Sequence, residues 1–331
     1  MLSFYKSIHP YVIFLIVLTG LVLWIPVFIK PAFFIYEGGL TVSPFDNALK
    51  GLYSLPVVVK MVLGLIAWLS LAFLLSIINS QNLLIEKRSY LPALFFILSS
   101  GWITGIQQIS PALLGMIFMA LGFMRFFYVF REKENTSALF DSGFLFTLSS
   151  LFYLPFIVLI FVVWIGLLIF RYTGWRDWFI SLSGFLTPWW ILYGIQFFKT
   201  GSVNNLNEMV SAVFQFGSFS FMFEPGRIGS FIFIALFALL ATFFLVSQLN
   251  MKMVRSKKYF SILIWLFIAL AVTYLFLQPM DRSFLVISLA LPTSYIFANY
   301  FSLARETKIT KALFSVFLVA SALSMYIPFF F

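Results

Sequence analysis

Apolar residues run along this chain in long unbroken blocks separated by short polar turns, with neither the alternation of half-buried strands nor a heptad repeat. The first block, Tyr11 to Ile29, forms a helix long enough to cross about 30 Å of hydrocarbon at about 1.5 Å of rise per residue. Comparable blocks follow at Val57–Ile78, Leu91–Gln107, Pro111–Phe130 and Leu139–Leu154. Two more lie between Pro155 and Phe198, divided by the turn RYTGWRDW, and four close the chain at Ser230–Leu249, Ser261–Leu277, Ser283–Ala304 and Ala312–Phe331. The pattern predicts an all-α, polytopic transmembrane helical bundle of about 11 helices. Residues 1–331 are expected to form a single integral membrane domain. The block ending at Leu154 is short for a crossing and abuts Pro155, so a kink or a stop in a cavity is expected there.

Two polar stretches are longer than turns, residues 30–56 and 199–229. Gly38, Gly39 and Pro44 punctuate the first as turns. In the second, Leu206–Phe216 has the pattern of an amphipathic helix lying on the membrane. The first helix reads as retained rather than cleaved, because WIPVFIKPAFF follows it in place of a small-residue cleavage site. His9, the single histidine, precedes Pro10 and fits an interfacial position where the first helix begins.

Composition agrees. The chain is 62% apolar and 10% charged, whereas a soluble domain averages about 45–50% apolar and about 25% charged. With no cysteine, disulfides, thiolate metal sites and cysteine nucleophiles are excluded. No metal-ligand spacing and no cofactor motif is present, so neither a metal nor a cofactor is expected. The net charge of +10 comes from residues scattered over short turns, which argues against nucleic acid as a partner. Most of the 21 Lys and Arg fall on one side if the N-terminus is cytoplasmic, while Lys30, Lys50, Lys199, Arg227 and Arg282 fall on the other. The positive-inside rule then puts the N-terminus in the cytoplasm, the C-terminus outside and both long loops on the outer face.

Those outer loops hold the candidate chemistry. Glu37 and Asp46 flank GGLTVSP and could serve as a general base or hold a divalent cation on a lipid pyrophosphate, or simply be solvated loop acids. Lys60 lies about one turn inside the second helix, where it either snorkels or binds an anionic headgroup. Arg227, in the turn Glu224-Pro225-Gly226-Arg227, and Arg282, beside the expected cap Asp281, could pair with a phosphate. Asp141 and Asp177 fit N-terminal helix positions on the inner face. Trp189 and Trp190, next to Pro188, either pack or stack on a sugar or isoprenoid.

The stretches LFDSGFLFTLSSLFYLP and RYTGWRDWFISLSGFLTPWW, with DRSFLVISLALPTSYIFANYF near the end, resemble an uncharacterised family of bacterial polytopic inner-membrane proteins. More distantly, the layout resembles GT-C-type glycosyltransferases that use polyprenyl-phosphate sugars and carry a catalytic acid in the outer loop after the first helix. That resemblance implies Glu37 or Asp46 as the catalytic acid, with Lys60, Arg227 and Arg282 holding the lipid phosphate. The loop departs from that pattern in lacking a tight acidic pair.

Three functions follow as expectations. The first is a transferase on a lipid-linked sugar at the outer face of the bacterial inner membrane, with membrane lipid as partner. The others are a transporter or flippase of a lipid or amphipathic solute, and a non-catalytic subunit bound to a membrane protein partner in an envelope assembly complex.

Overall fold

The computed structural model describes residues 5, 9–31, 43–45, 49, 51–52, 54–85, 89–101, 103, 106–131, 136–172, 174–213, 228–276, 283–304 and 307–326. In chain order their helices are α1 (Pro10–Ile29), α2 (Val57–Asn82), α3 (Leu91–Ser100), α4 (Pro111–Arg131), α5 (Thr136–Phe152), α6 (Leu159–Phe170), α7 (Trp175–Thr200), α8 (Asn204–Val213), α9 (Ile228–Gln248), α10 (Val254–Phe276), α11 (Ser283–Leu303) and α12 (Lys308–Tyr326). A 3-10 turn, Leu154–Val158, joins α5 to α6. Among the described residues, 6 helices are long and apolar enough to cross a membrane: α1, α2, α4, α7, α10 and α11. This is a multi-pass membrane protein. Shorter apolar helices occupy Leu91–Ser100, Leu154–Phe170, Ala235–Met251 and Thr310–Tyr326, so the expected number of crossings is not met by length alone.

The shortest of these is the most deeply placed. All 10 residues of α3 are buried, and it packs on α2 and α11 and touches α1 and α12. The Phe95 ring meets Phe297, Phe301, Phe314 and Phe317, the closest at 4.9 Å. Its N-terminus leans on α2, where Ser76 Oγ accepts the Ala93 N–H at 3.2 Å. The sequence pattern extends this helix to Gln107, but it stops at Ser100. At about 1.5 Å per residue it covers about half of the hydrocarbon. Gly101 stands at the break, and a glycine costs a helix interior about 1 kcal/mol relative to alanine.

A second core is built on small residues. A Cβ placed on Gly143 of α5 would come within 2.5 Å of Ser181 O on α7, and one on Gly184 would run into Phe140 O. The two backbones therefore touch, and Thr147 Oγ1 donates to Phe185 O across them at 2.6 Å. On its other side α5 packs on α4, where Gly122 admits the Phe146 ring. Lipid tails are as apolar as leucine, so close packing and interhelical hydrogen bonds hold such a bundle together rather than water exclusion. Tyrosine hydroxyls add to this by donating to carbonyls of neighbouring helices: Tyr259 to Phe127 O at 2.9 Å, Tyr295 to Leu75 O at 2.8 Å and Tyr326 to Val22 O at 2.9 Å.

Bulk at the α5–α7 contact should separate the helices. Gly184→Val is expected to destabilise by about 1–3 kcal/mol, the usual cost of overpacking. Gly194→Val, where nothing among the described residues lies within 4 Å of an added Cβ, should leave thermal unfolding in mild detergent unchanged. Equal midpoints for the two variants would show that the helices do not depend on this contact.

Candidate functional site

A groove opens where α5 gives out. The helix ends at Phe152, Tyr153 is extended, and the 3-10 turn begins with Pro155 in its first positions. This turn carries Ile157 to one wall of the groove. The opposite wall is α7, which continues through Pro188; proline leaves its helical bond to residue 184 unmade. α7 closes at Gly201, whose φ of +68° is the left-handed conformation that favours glycine. The chain then turns back into α8, and Tyr193 donates its hydroxyl hydrogen to Asn207 Oδ1 at 3.0 Å, tying α8 to α7.

The cavity so formed has a volume of about 530 Å³ and is lined by Phe185, Leu186, Trp189, Trp190, Asn207 and Val210 among others. Its size suits a small ligand or one lipid chain, since ligand pockets run to about 300–1,000 Å³. Trp190 is 73% exposed and Leu186 is partly exposed, so the mouth opens on the outside of the bundle. Trp189 is buried, and its Nε1–H, a donor only, has no hydrogen-bond partner among the described residues. A buried donor of this kind calls for an explanation; an oxygen of a bound molecule would supply one.

Four of the sequence-derived site residues, Glu37, Asp46, Arg227 and Arg282, lie outside the described residues, as do Glu224 and Asp281. The loop that carries the two acids is nevertheless anchored within the described region. Ser43 is fully buried, its Oγ donates to Leu151 O at 3.0 Å and accepts the Phe45 N–H at 3.2 Å, and the Phe45 ring meets Phe152 at 5.2 Å. Ser43 and Phe45 thus dock on the end of α5, beside the turn that supplies Ile157. Lys60 is partly exposed in the first turn of α2 and is not part of the groove lining. Its carbonyl accepts the Ile109 N–H at 3.0 Å, which puts it beside the non-helical stretch after α3.

Gln107 holds that stretch. It is fully buried, and its Nε2 donates to Gly101 O and Ile103 O, both at 2.9 Å. Ser321 Oγ on α12 donates to Leu98 O at 2.7 Å. Together they occupy carbonyls that the missing half-helix would have satisfied.

The other expected roles are resolved in part. Asp177 sits in the first turn of α7 behind Gly174, without a side-chain cap bond. Burial first, and the Asp177 carboxylate second, hold the Tyr172 hydroxyl above its ordinary pKa, so it stays a donor to Val129 O at 3.0 Å. Asp141 lies inside α5 and faces Arg125 at 4.0 Å, with both side chains about half exposed; such a pair is worth about 0–1 kcal/mol. Neither the groove nor the role of Gln107 follows from the sequence. The available signals are Trp189–Trp190 after Pro188 and the amphipathic block that becomes α8.

Residues 45–329 match the DUF6427 family, a family of unknown function, and the chain belongs to it. No curated protein and no solved structure matches the chain.

Removing the Gln107 amide should expose how the break is held. Gln107→Met leaves two carbonyls without their donor, each unsatisfied group costing about 1–3 kcal/mol. A thermal midpoint several degrees lower in mild detergent is the expected result, whereas an unchanged midpoint would mean that water or backbone serves those carbonyls equally well.

Proposed function

We propose that this member of the DUF6427 family holds an amphipathic lipid by its apolar chain in the groove between α7 and α8. We further propose that the lipid is a polyprenyl-phosphate sugar and that the protein is a transferase of GT-C type. It would act at the outer face of the bacterial inner membrane, with the N-terminus cytoplasmic and the C-terminus outside. The supporting observation is the groove itself. Its walls are apolar and aromatic, its mouth opens where lipid would be, and one buried indole N–H has no acceptor among the described residues.

In the transfer, Glu37 or Asp46 takes the proton of the acceptor hydroxyl as its oxygen attacks the anomeric carbon. The bond from that carbon to the phosphate oxygen breaks, and polyprenyl phosphate leaves. Lys60, Arg227 and Arg282 stabilise its developing charge. The docking of Ser43 and Phe45 on the end of α5 supports this arrangement, because the same loop carries both acids. A transporter or flippase is the second reading, favoured by the interrupted helix α3, since broken membrane helices commonly frame solute sites.

Native mass spectrometry of protein taken from its own membranes in mild detergent tests the proposal. A bound polyprenyl-phosphate lipid is expected, and Val210→Trp, which fills the groove, should remove it without lowering the unfolding midpoint. Glu37→Gln or Asp46→Asn should keep the lipid and abolish transfer in one case. Transfer intact in both, with flipping reduced by Lys60→Met, would replace the enzyme by the flippase. A stoichiometric protein partner and no lipid would overturn both.

A further inference from the structure

The opposite end of the bundle carries a cluster for which the groove gives no reason. α6 ends at Arg171, which has a φ of +66°. Its N–H donates to Leu168 O at 3.0 Å and that of Tyr172 to Leu167 O at 3.0 Å, a helix-ending turn that usually takes glycine. An arginine held in a left-handed conformation is an outlier whose cost the side chain has to justify. The start of α10 lies beside it. Lys258 Nζ sits 4.4 Å above the Phe130 ring and 3.4 Å from Phe170 O, and the Phe130 and Phe170 rings stack at 4.8 Å. Arg171 directly follows Phe170, whose carbonyl Lys258 approaches, Arg255 precedes Lys258 by one turn of α10, and Arg131 is the last residue of α4. Three helix ends, those of α4, α6 and α10, therefore bring like charges around an aromatic floor.

We propose that Arg171, Lys258 and Arg255 bind the phosphate of an anionic phospholipid headgroup at the membrane surface. Arginine presents a planar fork that matches two phosphate oxygens at once, and lysine adds a point charge. An anion between them relieves the mutual repulsion of cations that folding brings together. The source is lipid because the cluster lies where helices meet the membrane surface. α10 is long and apolar enough to span, and Trp175, four residues after Arg171, is 80% exposed, as interfacial tryptophans are. This site is independent of the groove, which takes an apolar chain at the other end.

The full-length protein in phosphatidylcholine nanodiscs, with and without phosphatidylglycerol, provides the test. Phosphatidylglycerol should be retained over phosphatidylcholine in native mass spectra and should raise the unfolding midpoint. Arg171→Gly and Lys258→Met should each weaken retention about fivefold, the weight of one basic residue near an anionic surface. In pure phosphatidylcholine Arg171→Gly should unfold no earlier than wild type, because glycine suits the left-handed turn. Undiminished retention in both variants would overturn the site. A midpoint raised as much by inorganic phosphate as by phosphatidylglycerol would also overturn it, by assigning the cluster to a free anion.

Discussion

Every peptide group that lies within a bilayer has to find its hydrogen-bond partner inside the protein, since lipid offers none. That constraint explains why α3 stands at the centre. A helix that stops after 10 residues leaves several carbonyls without partners, which an outer position facing lipid could not tolerate. The surrounding chain meets the need with side chains: Gln107 on Gly101 O and Ile103 O, and Ser321 on Leu98 O. α1, α2, α11 and α12 enclose the break. The aromatic packing around Phe95 is the steric side of that enclosure.

The α4–α5–α7 unit solves a different problem. Backbone contact at Gly143 and Gly184 leaves no room for side chains between α5 and α7. With α5 held at that distance and ended at Phe152, the second half of α7 loses its neighbour, and the space beside it becomes the groove that α8 borders. The cavity is thus a consequence of one helix being shorter than the helix it touches. Close packing on one side of the break and an open wall on the other come from the same short helix.

The sequence reveals the helices far better than it reveals their meeting points. Block length and punctuation suffice for α1, α2 and α4, because each must satisfy its own backbone and present an apolar surface. They fail at α3, where Leu91–Gln107 is mostly apolar but the helix stops at Ser100. Apolarity measures burial, and a buried non-helical stretch is as apolar as a buried helix. The helix break just before Pro155 is readable because proline acts locally. Trp189 is visible as a candidate, yet its pairing with Ile157 and Val210 depends on contacts remote in the chain, and a single sequence carries no trace of them. Gln107 looks like any polar residue near a helix end; only the carbonyls around it give it a role.

The two ends of the bundle differ in kind, and the difference bears on where chemistry can occur. At one end Lys258 is held between the Phe130 ring of α4 and the Phe170 carbonyl of α6, and the Arg171 backbone is set by its left-handed turn. At the other, Ser43 and Phe45 pin a long loop to the end of α5 beside an open apolar cavity. A fixed ring of cations suits anchoring, which needs charge and no access. A cavity that opens sideways suits a molecule that arrives through the membrane. Fixed charge at one end and an open wall at the other impose opposite demands, rigidity and access, and the short α5 lets one helical bundle meet both.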